Sequence, residues 1–210
     1  GWHRHITDGE YKSLAVISED GPDQFWFVVE RTIGGATKQY VELYTPDIFL
    51  DSMISYSGSA TSAVTGLAHL EGKTVQITAD GAVHPDLVVS SGAIALNYTA
   101  TDIKVGLKYV SKLTPTRPGQ NAGAGTTLGK PKRWNTIFVR LEKSAIPIIN
   151  GQRPPVRSPD TNYGNEQPIT SEDIEVKNLG YDLNGRIEIE QDLPLACHII
   201  SLFGTLSVGD

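Results

Sequence analysis

The sequence predicts an all-β protein: a sandwich or propeller-like sheet body carrying an inserted small β-barrel subdomain. With 21 glycines and 12 prolines in 210 residues, about one residue in six, the chain is broken more often than long helices tolerate. Its apolar residues alternate with polar ones over short runs, which is the period of a strand with one face covered. Turn dipeptides bound those runs at intervals of roughly ten residues, the rhythm of a sandwich, barrel or propeller.

The elements follow in order. Phe25-Trp26-Phe27-Val28-Val29-Glu30-Arg31 and Gln39-Tyr40-Val41-Glu42-Leu43-Tyr44, joined through Gly34-Gly35, read as a hairpin. Phe25 and Phe27 then share one face and Trp26 the other, so the aromatic run is expected to be core on both sides of a packed sheet. Pro46 to Ile54 is the one helical expectation, with Pro46 suited to a first helical position and Ile48, Phe49, Leu50, Met53 and Ile54 clustered behind it. Val75 and Ile77 lead into Asp80-Gly81, a tight-turn dipeptide, with Val83, Val88 and Val89 on the return. Ile103, Val105 and Leu107 alternate with Lys104, Gly106 and Lys108, and Ile137, Val139 and Leu141 repeat the scheme. Tyr181 to Glu190 reads as a hairpin turning at Asn184-Gly185, and Cys197 to Leu206 as a last strand. Thr114–Gly129 and Asn150–Pro168 are long Gly- and Pro-rich loops, a kind that is usually functional or disordered. The stretch 57–113 has its own strands and turns and reads as the inserted barrel-like subdomain. Residues 1–56 and 114–210 supply the two parts of the body.

Composition narrows the function. No run approaches the ~18 uninterrupted apolar residues of a membrane span, and the opening Gly1-Trp2-His3-Arg4-His5 lacks the character of a signal peptide. The first residue is Gly and the only methionine is Met53, so the chain lacks an initiator and is expected to be an expressed segment, a cleavage product or the back part of something longer. The single Cys197 excludes an intrachain disulfide and a cysteine zinc site. The net charge of −6 runs against a nucleic-acid binder, but it is unevenly spread. Between residues 101 and 143, Lys104, Lys108, Lys112, Arg117, Lys130, Lys132, Arg133, Arg140 and Lys143 face only Asp102 and Glu142. From Ser158 to Asp210, ten acids face Lys177 and Arg186. Such segments either line two solvated faces or dock on neighbouring copies.

Catalytic signatures are weak. Gly66-Leu67-Ala68-His69-Leu70-Glu71-Gly72-Lys73-Thr74 ends like a phosphate-binding loop, but five residues separate its glycines where four are needed, and a strand follows instead of a helix. A turn with Lys73 in water is the simpler reading. His3 and His5 with Asp8, and Asp80, His84 and Asp86, are incomplete metal sets. Cys197 and His198 are neighbours on a strand and point to opposite faces, so they cannot act as nucleophile and base. Asn97-Tyr98-Thr99 fits a glycosylation acceptor only in a secretory setting. No catalytic residue, metal or cofactor is assigned.

Several segments in order resemble a known family. Trp2-His3-Arg4-His5-x-x-Asp8-Gly9, Leu14-Ala15-Val16-Ile17, Phe25 to Gly35 and Tyr40-Val41-Glu42 are similar to the body of the tail-tube (nozzle, or tail tubular protein B) proteins of short-tailed bacteriophages. Gly66-Leu67-x-His69-Leu70-Glu71-Gly72-Lys73-Thr74-Val75, Ala79 to Pro85 and Val105-Gly106-Leu107-x-Tyr109 resemble their inserted barrel. Lys132-Arg133-Trp134-Asn135, Val139-Arg140-Leu141 and Gly185-Arg186-Ile187-x-Ile189-x-Gln191-Asp192-x-Pro194-Leu195 resemble the strands that close the body. The resemblance implies a structural virion protein of the phage tail, made in the host bacterial cytoplasm. Its partners would be copies of itself in a ring and other tail or portal proteins. DNA would pass it during ejection without sequence-specific binding. Lys104, Lys108, Lys112, Lys130, Lys132 and Arg133 are the candidate inter-subunit basic patch. The alternative is a phage-tail or secreted β-module that binds a bacterial surface glycan through Trp134 and Tyr163. A tail-borne hydrolase is the third class, and no nucleophile or metal set supports it.

Overall fold

The computed structural model describes residues 4–18, 21–119, 121–122, 125–155, 168–177 and 180–209. It is all-β, with antiparallel sheets and no α-helix among the described residues. The described chain divides into two units, one ending at Tyr109 and one beginning at Val110.

In the first unit, β1 (Glu10–Ile17), β2 (Gln24–Ile33) and β3 (Ala36–Leu43) form a three-stranded sheet in chain order. Gly34 and Gly35, at φ 58° and 80°, make the two-residue turn that the right-handed twist of the flanking strands requires. A second sheet follows, built from β4 (Asp51–Thr65), β5 (Thr74–Ala79), β6 (Ala82–Val88) and β7 (Ala93–Leu107) in the order β4-β7-β5-β6. Asp80 and Gly81, at φ 48° and 77°, close the β5–β6 hairpin. The alternating residues expected from the sequence meet in one core: Val75, Ile77, Ile103 and Val105 are wholly buried, joined by Val64, Ile94 and Leu96 and by Leu67 and Leu70 beside a 3₁₀ turn at Ala68–Leu70. Among the described residues the sheet is open, with β4 and β6 as its edges, so the barrel-like stretch is not a closed barrel.

Two local expectations for this unit are overturned. Pro46 to Ile54 is not a helix: Asp51 and Ile54 already pair with Leu107 and Val105 of β7. A helix of two turns gains little against its nucleation cost, whereas the ladder and the Arg31 junction described below both use Asp51. The aromatic run is not core on both faces either, because Phe25 is exposed and Trp26 and Phe27 are only half-buried. Burial in β2 sets in at Val29, Arg31 and Ile33.

The second unit contains β8 (Ser111–Leu113), a short β9–β10 hairpin (Asn121–Ala122, Gly125–Thr126), β11 (Lys132–Glu142), β12 (Ile148–Ile149), β13 (Asp173–Lys177), β14 (Ile189–Gln191) and β15 (His198–Val208). β11 lies between β13 and β15, and β14 between β12 and β8. Ile137, Val139, Leu141, Ile149, Ile174, Val176, Ile187 and Ile189 form its core. The expected Tyr181–Glu190 hairpin does not form. Asp182 bridges Lys132 through both backbone hydrogen bonds, and its Oδ2 accepts from the N–H groups of Asn184 and Gly185 at 2.9 and 2.7 Å. The side chain therefore replaces a returning strand as the turn's partner, and Ile189–Gln191 pairs with β8 and β12.

Candidate functional site

Of the candidate metal groups, Asp8, Asp80 and His84 are tied into the scaffold, and His3 lies outside the described residues. Asp80 Oδ1 accepts from the N–H groups of Asp102 (2.8 Å) and Thr101 (3.0 Å) and from the Thr101 hydroxyl (2.9 Å), and these bonds hold its carboxyl below the ordinary 3.8. His84 is buried; its Nε2 accepts from the Asn97 N–H at 3.1 Å, which leaves Nδ1 to donate to the Pro85 carbonyl at 2.7 Å. Neither ring nitrogen is left for a metal. Burial pushes the Cys197 thiol up, away from a nucleophilic thiolate. Lys73 is not simply in water: it pairs with Asp8 at 2.7 Å. No group of three metal-ligating side chains occurs among the described residues, and no described helix is long and apolar enough to cross a membrane.

The six basic candidates fall into different settings. Lys104 and Lys108 are exposed in the first unit, Lys104 on the face of β7 opposite Ile103 and Val105. In the second unit Lys112 pairs with Glu190 and, at 3.5 Å, with Glu188; the Glu190 bond is the main reason its ammonium sits above its ordinary value. Lys130 is exposed. Lys132 is 1% exposed and donates from Nζ to the Lys130 carbonyl at 3.1 Å. Arg133 lies with its guanidinium over the Tyr181 ring, 5.7 Å from the centroid. Part of the charge segregation is thus answered inside the unit, by Lys112–Glu190 and by the two-pronged Arg140–Asp173 bridge at 2.8 Å.

Two surfaces remain. One is a cleft of about 340 Å³ in the second unit, lined by Trp134, Tyr181, Asp182, Arg186, Asn150 and Gln152 along with Lys132. Trp134 is fixed by its indole N–H, which donates to the Gly185 carbonyl at 2.8 Å. Asn150 Oδ1 accepts from the Glu188 N–H at 2.6 Å. Sequence reasoning nominated Trp134 for a glycan and Lys132 for a basic patch but missed the other lining residues; the Asp-x-Asn-Gly turn was the one available signal. Tyr163 lies outside the described residues.

The other surface is the far end of the β1–β2–β3 sheet. Register places Leu14, Val16, Phe25 and Phe27 on one face and Ala15, Trp26, Val28, Val41 and Leu43 on the other. Every residue of β1 is exposed. The opposite end of the sheet is anchored by Arg31, whose side chain is fully buried and meets Glu42 at 2.8 Å, Asp51 at 3.1 Å, the Thr7 hydroxyl at 2.6 Å and the Asp8 carbonyl at 2.7 Å. Burial pulls the guanidinium down, and the hydrogen bonds and charges of Glu42 and Asp51 outweigh it, leaving Arg31 above its ordinary value.

No protein-family model matches this chain, and no curated protein matches it at a significant level.

Proposed function

We propose that the chain is a structural subunit of a short-tailed bacteriophage tail, the nozzle or tube, packed with copies of itself and with other tail or portal proteins around the path of DNA ejection. The resemblance described above supplies the class. The observation that carries the reading is the β1–β2–β3 end, where one three-stranded sheet presents apolar side chains to water on both faces and an outer strand, β1, that is exposed throughout. A sheet end of this kind gains stability when a neighbour covers it. The weakly acidic net charge of −6 suits a conduit that must pass a polyanion without retaining it. The role needs no catalytic residue, metal or cofactor, and its place is the virion after synthesis in the host cytoplasm.

Sedimentation velocity combined with negative-stain imaging tests this. A closed oligomer is expected at micromolar concentration, and Leu14→Asp with Val41→Asp should shift it to monomer. Reversing Lys104 and Lys108 to glutamate should weaken the ring if these exposed lysines face an acidic neighbour, since a closed ring joins two different patches of one surface. A chain that stays monomeric at every concentration, or an assembly indifferent to all four changes, overturns the reading.

A further inference from the structure

The cleft of the second unit is a small polar site whose walls are set before any ligand arrives. Asp182 commits Oδ2 to the Asn184–Gly185 turn, and Oδ1 has no protein partner among the described residues. Asn150 commits Oδ1 to Glu188, which leaves its amide N–H groups available. The Gln152 and Arg186 side chains are exposed and have no partner among the described residues. Two aromatic rings line the same cleft, Trp134 locked through its indole N–H and Tyr181, which is 61% exposed and backed by the Arg133 guanidinium. Gly185 holds φ 58°, a conformation L side chains rarely adopt, and a Cβ there would lie 3.1 Å from the Lys132 side chain, which would have to yield.

We propose that this cleft binds a pyranose unit of an oligosaccharide. A pyranose offers an apolar C–H face, for which an aromatic ring is the natural platform, and a rim of hydroxyls that both donate and accept. The cleft supplies the complement: a carboxylate oxygen to accept, amide and guanidinium N–H groups to donate, and ring surface beside them. Other classes fit less well. A nucleotide needs a cradle of backbone N–H groups or a helix N-terminus for its phosphates, and the second unit has no helix among the described residues. A divalent cation needs several oxygen ligands, and among the described residues Asp182 is the only carboxylate lining the cleft. An apolar ligand would leave the polar rim desolvated and unpaired. The site lies within one unit and needs no neighbouring copy, so it stands or falls separately from the assembly reading.

The test is a titration of the whole chain with a panel of neutral and acidic oligosaccharides prepared from bacterial lipopolysaccharides and capsules, followed through the tryptophan indole N–H resonances. Binding by at least one member should shift the Trp134 signal and leave Trp26, in the first unit, unmoved. Tyr181→Ala and Gln152→Ala should each weaken it about tenfold, and Tyr181→Phe should retain it. If no member of the panel shifts Trp134 at millimolar concentration, or if binding persists unchanged in Tyr181→Ala, the proposal is wrong. Loss of binding in an Arg186→Ala variant that also keeps the wild-type unfolding midpoint would place Arg186 among the contacts, and unaltered affinity there would remove it.

Discussion

In the four-stranded sheet of the first unit, Ile77, Ile103 and Val105 are wholly buried, whereas Leu14, Val16 and Val41 of the three-stranded sheet are 56%, 50% and 69% exposed. Both sheets are built from alternating β-formers joined by tight glycine turns, so strand propensity does not separate them. The difference lies in what covers each one. In the first, the turn segment with Leu67 and Leu70 and the alternating residues of β4, β5 and β7 close on a common interior. In the second, only the Arg31 end is covered, where Val29 and Ile33 are buried beside the ionic junction of Arg31 with Glu42 and Asp51. A sheet held at one end and bare at the other has surface to offer a neighbour.

Four substitutions break or sharpen that contrast, all measured as unfolding free energy in urea on the isolated chain except where stated. Ile103→Ala, in the middle of the dry core, should cost about 3–4 kcal/mol, the transfer loss plus the cavity left behind. Arg31→Met should cost about 3 kcal/mol, because it leaves two carboxylates in a partly buried junction without their cation; a loss below about 1 kcal/mol would mean that water already compensates the pair. Asp80→Asn acts on the pH dependence. The carboxyl is held below its ordinary 3.8 by N–H donors from Asp102 and Thr101, so its contribution is present above that ordinary value and is lost as the pH falls through the lower folded value. The variant should therefore lose less stability than wild type in the acid limb below about pH 4, and parallel acid limbs would refute the capping role. Smallest of all, Leu14→Ser on exposed β1 should stay within about 0.5 kcal/mol of wild type. A loss of 2 kcal/mol or more would show that this sheet end is already covered in the isolated chain.

The same contrast marks what could be read from residue order. The Gly34-Gly35 and Asp80-Gly81 hairpins, the alternation at Ile103–Leu107 and Ile137–Leu141 and the closing strand are all local signals, and the structure forms each of them. Local signals misled at Pro46–Ile54, where an apolar cluster suggested a helix and long-range pairing with β7 won. They misled again at Tyr181–Glu190, where Asn184-Gly185 does turn the chain but the Asp182 side chain holds the turn in place of a returning strand while its backbone bridges to Lys132, fifty residues away. As a site the cleft was legible only through Trp134, because its lining comes from three separate segments, around residues 132–134, 150–152 and 180–186.

By itself the sequence determined the β class, the turns at Gly34-Gly35 and Asp80-Gly81 and the absence of an intrachain disulfide, because each depends on the covalent chemistry of one residue or on neighbours a few positions apart. Which strand faces became interior, which lysines found acidic partners and which polar atoms surround Trp134 were decided by tertiary structure. Burial and ion pairing depend on residues brought together across tens to scores of positions, as Lys112 is with Glu190 and Arg31 with Asp51, and such meetings leave no mark in the local pattern.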